Sequence, residues 1–293
     1  MSDQPPSAGA RPLRLSPGLY LVATPIGAAR DITLRALDIL AGADAIAAED
    51  TRTARKLMEI HGVAVAGRQM LAYHDHSGAG TRDRILAMIG EGKAVAYVSE
   101  AGTPLVADPG YQLARTVIEA GLPVLAAPGA SAVLAALAVS GLPSDRFLFA
   151  GFPPHAKGAM QAWLAELAPI SATLILYESP RRVHRLLDVL AQVMGPERKI
   201  ALCRELTKRF EEVLRGTVED VRTTIADRSL KGEIVLVVGK GSPVQASAET
   251  VEDALRQALE TLSVKDAAAR VAADLGLKKR DVYQAALKLE ASE

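Results

Sequence analysis

Short apolar runs alternate with helix-period stretches along most of this chain. That alternation constrains its fold more than any other feature. The runs "GLYLVAT" (18–24), "ADAIAAE" (43–49), "QMLAYH" (69–74), "AVAYVS" (94–99) and "PVLAA" (123–127) have strand length. Between them lie amphipathic stretches such as "ITLRALDILAG", where Ile32, Leu34, Leu37 and Leu40 recur at helical spacing. Strand–helix alternation predicts an α/β fold with a mostly parallel sheet covered on both faces.

A second set begins near residue 145. It contains "DRFLFAGF" (145–152), read as a sheet edge or an interdomain crossing, "ATLILYE" (172–178), "RKIALCREL" (198–206) and "GEIVLVVG" (232–239). "RFEEVLRGT" alternates as a strand does, so this half is predicted to be a mixed sheet with helices. Beyond it, "KGSPVQASAE" reads as a linker, followed by three helical patterns with a helix–Gly turn–helix rhythm at "AADLGLKKRDVYQAA". The predicted organisation is a disordered tail over 1–17, α/β domains over 18–144 and 145–240, a linker over 241–250 and a helical unit over 251–293.

Composition removes several function classes. Formal net charge is zero, so no global field draws the chain to nucleic acid, and any basic surface must be local. A single cysteine, Cys203, rules out a disulfide framework and a cysteine-type zinc site; inside an apolar strand pattern it reads as an inert core residue. The uncharged stretch 122–143 is long enough to span a bilayer, but Pro123, Pro128, Gly129, Gly141 and Pro143 divide it into strand, turn and helix. The Pro-, Ser- and Gly-rich start has no apolar signal region. A cytoplasmic protein is expected.

Glycine loops follow the first, fourth and fifth strands: "TPIGA", "SEAGTP" and "PGAS". In an open α/β sheet, ligands bind at the carboxyl ends of strands, and Gly27, Gly102 and Gly129 let backbone come close to one. Plain turn glycines are the competing reading. No G-x-G-x-x-G follows the first strand, which disfavours a dinucleotide, and the absence of a Walker sequence excludes a P-loop NTPase. Polar groups cluster at two further strand ends. "AEDTR" offers Glu49, Asp50 and Arg52, with Asp50 either a helix cap or a substrate contact. "YHDHS" offers His74, Asp75 and His76, which suit a metal pair, a capped strand end or the wall of an active cleft; no third metal ligand stands at a diagnostic spacing, so no metal is expected. Residues 178–215 carry nine Lys/Arg against six acids, either a solvated face or a phosphate-contacting surface that includes Arg181 and Arg182. With four Phe, one Trp and six Tyr in the whole chain, base stacking cannot dominate any RNA contact.

Taken in order, "GLYLVATPIG", "AEDTR", "HDH", "AGTPLVADPG", "SGLPSDRF", "YESPRR", "RELTK" and "KGEIVLVV" resemble the bacterial small-subunit ribosomal RNA methyltransferases of the tetrapyrrole methylase superfamily, which methylate the 2′-oxygen of a cytidine in the decoding centre. The likeness runs from about Gly18 to Gly239, and the three helices resemble that family's C-terminal extension. It implies two α/β domains with S-adenosylmethionine (AdoMet) bound between them, a homodimer, and 16S rRNA or the small subunit as partner. It also implies a cofactor site built from Gly27, Glu100, Gly102, Thr103, Pro104, Ser131, Ala132, Tyr177, Gly232 and Glu233. Asp50, His74 and His76 become candidates for proton transfer, and Arg52, Arg181, Arg182, Lys278, Lys279 and Arg280 candidates for RNA contact. Two positions depart from the family pattern, Ala28 for an asparagine and Glu100 for an aspartate. A tetrapyrrole-precursor methylase is the nearest rival, although its G-x-G-x-G loop is absent here; a non-catalytic RNA-binding protein is the other.

Overall fold

The computed structural model describes residues 14–74, 79–241, 248–275, 277 and 279–290. The first half contains strands β1 (Gly18–Val22), β2 (Ala45–Ala48), β3 (Gln69–Ala72), β4 (Ala94–Val98) and β5 (Val124–Ala127). They form one sheet in the order β3-β2-β4-β1-β5, and every pairing is parallel. Helices α1 (Leu34–Gly42) and α2 (Thr51–Ile60) cover one face, against Tyr20, Val22, Ile46, Ala96 and Val98. Helices α3 (Ala79–Gly90) and α4 (Tyr111–Glu119) cover the other, against Leu19, Ala45, Val95 and Tyr97. The two sets of strand residues alternate along the chain, as the period-2 geometry of a strand requires.

The strand order positions the site. From β1 the chain crosses to β2 on one side, whereas from β4 it crosses to β5 on the other. The two connections leave the adjacent strands β1 and β4 on opposite faces of the sheet, and the loops that begin them line a crevice there. The expected strand 18–24 is shorter in the structure: Ala23 still donates to the Ala127 carbonyl at 3.1 Å, and Thr24 leaves the ladder. Thr24 instead pairs with Gly102, each backbone N–H donating to the other's carbonyl at 2.9 and 3.0 Å.

The second sheet contains β6 (Phe147–Gly151), β7 (Thr173–Glu178), β8 (Lys199–Arg204), β9 (Glu212–Thr217) and β10 (Ile234–Val238), in the order β6-β7-β10-β8-β9. Only β6 and β7 are parallel, so the sheet is mixed, as predicted, and 145–152 supplies its edge. Helices α6 (Lys157–Leu167), α7 (Val183–Met194) and α8 (Val218–Ile225) cover one face. The other face is covered by α5 (Ala132–Ser140), which belongs to the first half of the chain. Val133, Ala136 and Leu137 of α5 pack on Ile175, Ala201, Cys203 and Val237. This helix is apolar nearly all round, which explains why residues 122–143 lack charge without crossing a membrane. Among the described residues no helix is long and apolar enough to do so.

Helices α9 (Ala248–Leu259), α10 (Val264–Asp274) and α11 (Lys279–Glu290) share a small core of Leu255, Ala268, Val271, Val282 and Ala286. Helix α9 begins inside the stretch expected as linker; residues 242–247 lie outside the described residues.

Candidate active site

A cleft of about 480 Å³ lies between the two sheets, within the ~300–1,000 Å³ usual for small-ligand sites. Its first wall comes from the loops after β1, β2, β4 and β5, and its second from the ends of β6, β7, β8 and β10. The loops of the first wall are tied together. Besides the Thr24–Gly102 pair, the Thr103 hydroxyl donates to the Ala130 carbonyl at 2.9 Å. Gly102 holds a φ of +88°, a conformation that L side chains rarely adopt. Ser131 caps α5 by backbone alone, so its hydroxyl does not satisfy its own helix.

On the second wall, Gly232 has a φ of +91°, and a Cβ there would lie 2.4 Å from the Glu205 side chain. Glu205 accepts hydrogen bonds from the Glu233 backbone N–H at 3.0 Å and from Lys208 at 2.9 Å, fixing the "KGE" turn. Lys208 also pairs with Glu233 at 3.1 Å.

Most of the expected cofactor positions lie on this cleft. Glu100, Gly102, Thr103, Ser131 and Ala132 line its first wall, and Tyr177, Gly232 and Glu233 its second. Gly27 and Pro104 do not line it. A Cβ on Gly27 would meet the Lys208 and Thr207 side chains at 2.5 and 2.6 Å, so close approach at this glycine is by another part of the chain. Beside it, the Ala28 backbone N–H donates to the Thr207 hydroxyl at 3.1 Å. This contact is made by the backbone at position 28.

The electrostatics add one acid, Asp108, to those the motifs single out. Glu49, Glu100, Asp108 and Glu233 all face the cleft. Asp108 is half-buried, and its pKa is raised to about 6, first by burial and then by the Glu49 carboxylate, while a hydrogen bond with Ser99 opposes the rise. Tyr177 is pushed up to about 12 by burial and by Asp108, so it stays a neutral phenol. Burial holds the Cys203 thiol at about 11, too high for a thiolate nucleophile at neutral pH. The only signal for Asp108 in the sequence is an acid inside the Gly/Pro-rich loop. Leu105 and Ala107, just before it, hold positive φ, a strain often found at functional sites.

The proton-transfer candidates sit elsewhere. Asp50 caps α2, accepting from the Arg52 backbone N–H at 2.7 Å and from its guanidinium at 2.8 Å. Arg52 holds this carboxyl down at about 2, and neither residue lines the cleft. His74 is exposed just past β3 and does not line it either. His76 lies outside the described residues. No group of three His, Cys, Asp or Glu among the described residues is arranged to hold a metal ion.

Of the RNA candidates, Arg181 is exposed, but Arg182 is engaged inside the protein. It pairs with the buried Glu178 at 3.0 Å and donates to the carbonyls of Pro153 and Pro154. Lys279 and Arg280 are exposed at the start of α11; Lys278 lies outside the described residues.

This geometry agrees with the comparisons. The profile of the "Tetrapyrrole (Corrin/Porphyrin) Methylases" matches residues 18–222, and that of the "RsmI C-terminal HTH domain" matches residues 245–290. The chain is 45% identical over 285 residues to the ribosomal RNA small subunit methyltransferase I of Mesorhizobium japonicum, covering 96% of this chain and 94% of that one. The fold is shared with the methyltransferase CobJ, at a TM-score of 0.58 and 21% identity over 76% of this chain and 94% of that one. It is also shared with a Thermus thermophilus uroporphyrin-III C-methyltransferase complexed with S-adenosyl homocysteine, at a TM-score of 0.52 and 19% identity over 76% and 97%. The chain belongs to the tetrapyrrole methylase family and, within it, to the ribosomal RNA small subunit methyltransferases I.

Proposed function

We propose that this protein transfers the methyl group of AdoMet to the ribose 2′-oxygen of a cytidine in the decoding centre of 16S rRNA, acting as a cytoplasmic homodimer. The observation that carries the reading is the acidic, glycine-walled cleft at the switch point of the first sheet, in a member of a small-subunit rRNA methyltransferase family. The chemistry of the cleft fits the donor. AdoMet bears a sulfonium and an ammonium, and four carboxylates surround the space that would receive them. Gly102 and Gly232 set the course of the two lining loops through their positive φ, with Gly232 packed against Glu205, and the amides and Ser131 hydroxyl at the start of α5 offer polar contacts.

When bound, AdoMet supplies an already activated methyl group. The residues of the chain then have to hold the ribose oxygen in line with it and keep water out, and alignment of this kind supplies much of the rate. A ribose hydroxyl is a poor nucleophile, so a nearby group must accept its proton. Of the three candidates, Asp50 suits this least, because its carboxylate is occupied by Arg52 and too weakly basic.

The deciding experiment is mass spectrometry of 16S rRNA from cells with and without the gene. Loss of one ribose-methylated cytidine, restored by the purified protein and AdoMet, is expected. Loss of a base methylation, or no change, overturns the proposal.

The helices after residue 248 are proposed to grip rRNA outside the cleft, with Lys279 and Arg280 at the start of α11. A protein ending at Gly241 is expected to bind AdoMet normally. Its RNA affinity should fall, and the salt slope of binding should shrink by about one for each phosphate that is no longer neutralised. Equal affinity and equal slope would make the three helices a structural appendage.

A further inference from the structure

Phe152 is a large apolar side chain left 57% exposed at the mouth of the cleft. Its position is built in by the backbone. Along β6, Leu148 and Ala150 pack on the α6–α7–α8 side of the sheet, and Phe149 packs on the α5 side. Strict alternation would send residue 152 to the side of Leu148 and Ala150. A register shift between Phe149 and Gly151, with Gly151 at a φ of +75°, turns the chain instead. A bulge of this kind re-aims a side chain. Phe152 thereby meets Tyr177 edge to face, with centroids 5.5 Å apart, and Tyr177 meets Phe149 at 4.8 Å.

The turn that follows is braced. Arg182 donates to the carbonyls of Pro153 and Pro154, and Arg185 to that of His155 at 2.9 Å. Two prolines stiffen the segment further. The exposed Phe152 ring therefore lines the cleft on a braced segment. Glu49, Glu100, Asp108 and Glu233 line the cleft. An RNA backbone is repelled by the acidic interior. Only an uncharged part of a nucleotide can pass inward, and that requires the target to be taken out of its stack.

We propose that Phe152 is the stacking platform for the nucleobase of the target nucleotide, holding it while the ribose reaches into the cleft. One aromatic ring is enough here, because one base is extruded. The inference rests on the proposed rRNA ribose methylation. Stacking of a single base on an aromatic side chain changes affinity by about tenfold or more.

The test uses full-length protein, radiolabelled AdoMet and small ribosomal subunits from cells lacking the gene. Phe152→Ala is expected to raise the KM for subunits about tenfold while leaving AdoMet affinity by calorimetry unchanged, and Phe152→Trp should restore KM where Phe152→Leu does not. Weakened AdoMet binding with an unchanged subunit KM would assign the ring to the cofactor's adenine and overturn the proposal. So would equal rescue by leucine, which marks simple apolar packing. If the parent protein itself transfers no label to the subunits, the underlying rRNA reading fails; if it does and Phe152→Ala matches it, only the stacking role fails.

Discussion

Replacing Gly102 with valine is expected to abolish AdoMet binding in a protein that still folds. The residue holds a φ of +88° beside the Thr24 pairing, and its absent side chain borders the cleft. A β-branched residue at positive φ carries strain of about 1–3 kcal/mol, so a lower melting temperature is expected too. Three of the four cores of the two sheets are untouched, and in the fourth only Ile26 at its border is met, so the fold should survive. Gly102→Ala separates the two effects. It carries backbone strain, but its Cβ would stand 3.2 Å from Ile26 Cγ2 and add only one methyl. Alanine should keep a measurable affinity and valine none, read by calorimetry on samples with parental circular dichroism. Parental AdoMet affinity in folded Gly102→Val would remove this loop from the cofactor site.

The sheets were legible in the sequence because their signal is local. Short apolar runs set the strands, and intervening stretches with periodic apolar residues set the helices. The second sheet's edge at Phe147–Gly151 was legible for the same reason, but its bulge was not. A register shift is fixed by the partner strand, and nothing within "FLFAGF" states it. The site divides along the same line. Glycine marks a close approach without saying what approaches. At Gly102 the neighbour is Ile26 of the same cleft wall, whereas at Gly27 it is the Thr207–Lys208 turn of the other half, 180 residues away in sequence at Thr207. The adjacent acids Glu49 and Asp50 show how fine the division is. Asp50 caps a helix and is neutralised by Arg52, while its neighbour Glu49 faces the cleft. The acidity of the cleft arises from Glu49, Glu100, Asp108 and Glu233 on three separate loops. Tertiary folding alone brings them together, and no spacing along the chain announces it.

Asp108→Asn is expected to trade function for stability. In the folded protein this carboxyl is raised from 3.8 to about 6. A group whose folded pKa lies above its unfolded value destabilises the fold once ionised. The protein is therefore penalised increasingly as pH rises from about 4 to about 6, and fully above that. The shift corresponds to about 3 kcal/mol, reduced to about 1 kcal/mol because water reaches the half-buried group. Asparagine keeps the shape and cannot ionise. The variant should be about 1 kcal/mol more stable than the parent at pH 8 and no more stable at pH 4. AdoMet, as a cation, gains from the ionised carboxylate, so its binding to the parent should weaken as pH falls below about 6. Binding to the variant should be weaker by about tenfold at pH 8 and nearly flat across the same range. Chemical denaturation and calorimetric titration at both ends of the range read the two effects separately. A stability difference that is the same at pH 4 and pH 8, together with unchanged AdoMet affinity, would show that Asp108 neither bears the strain nor meets the cofactor.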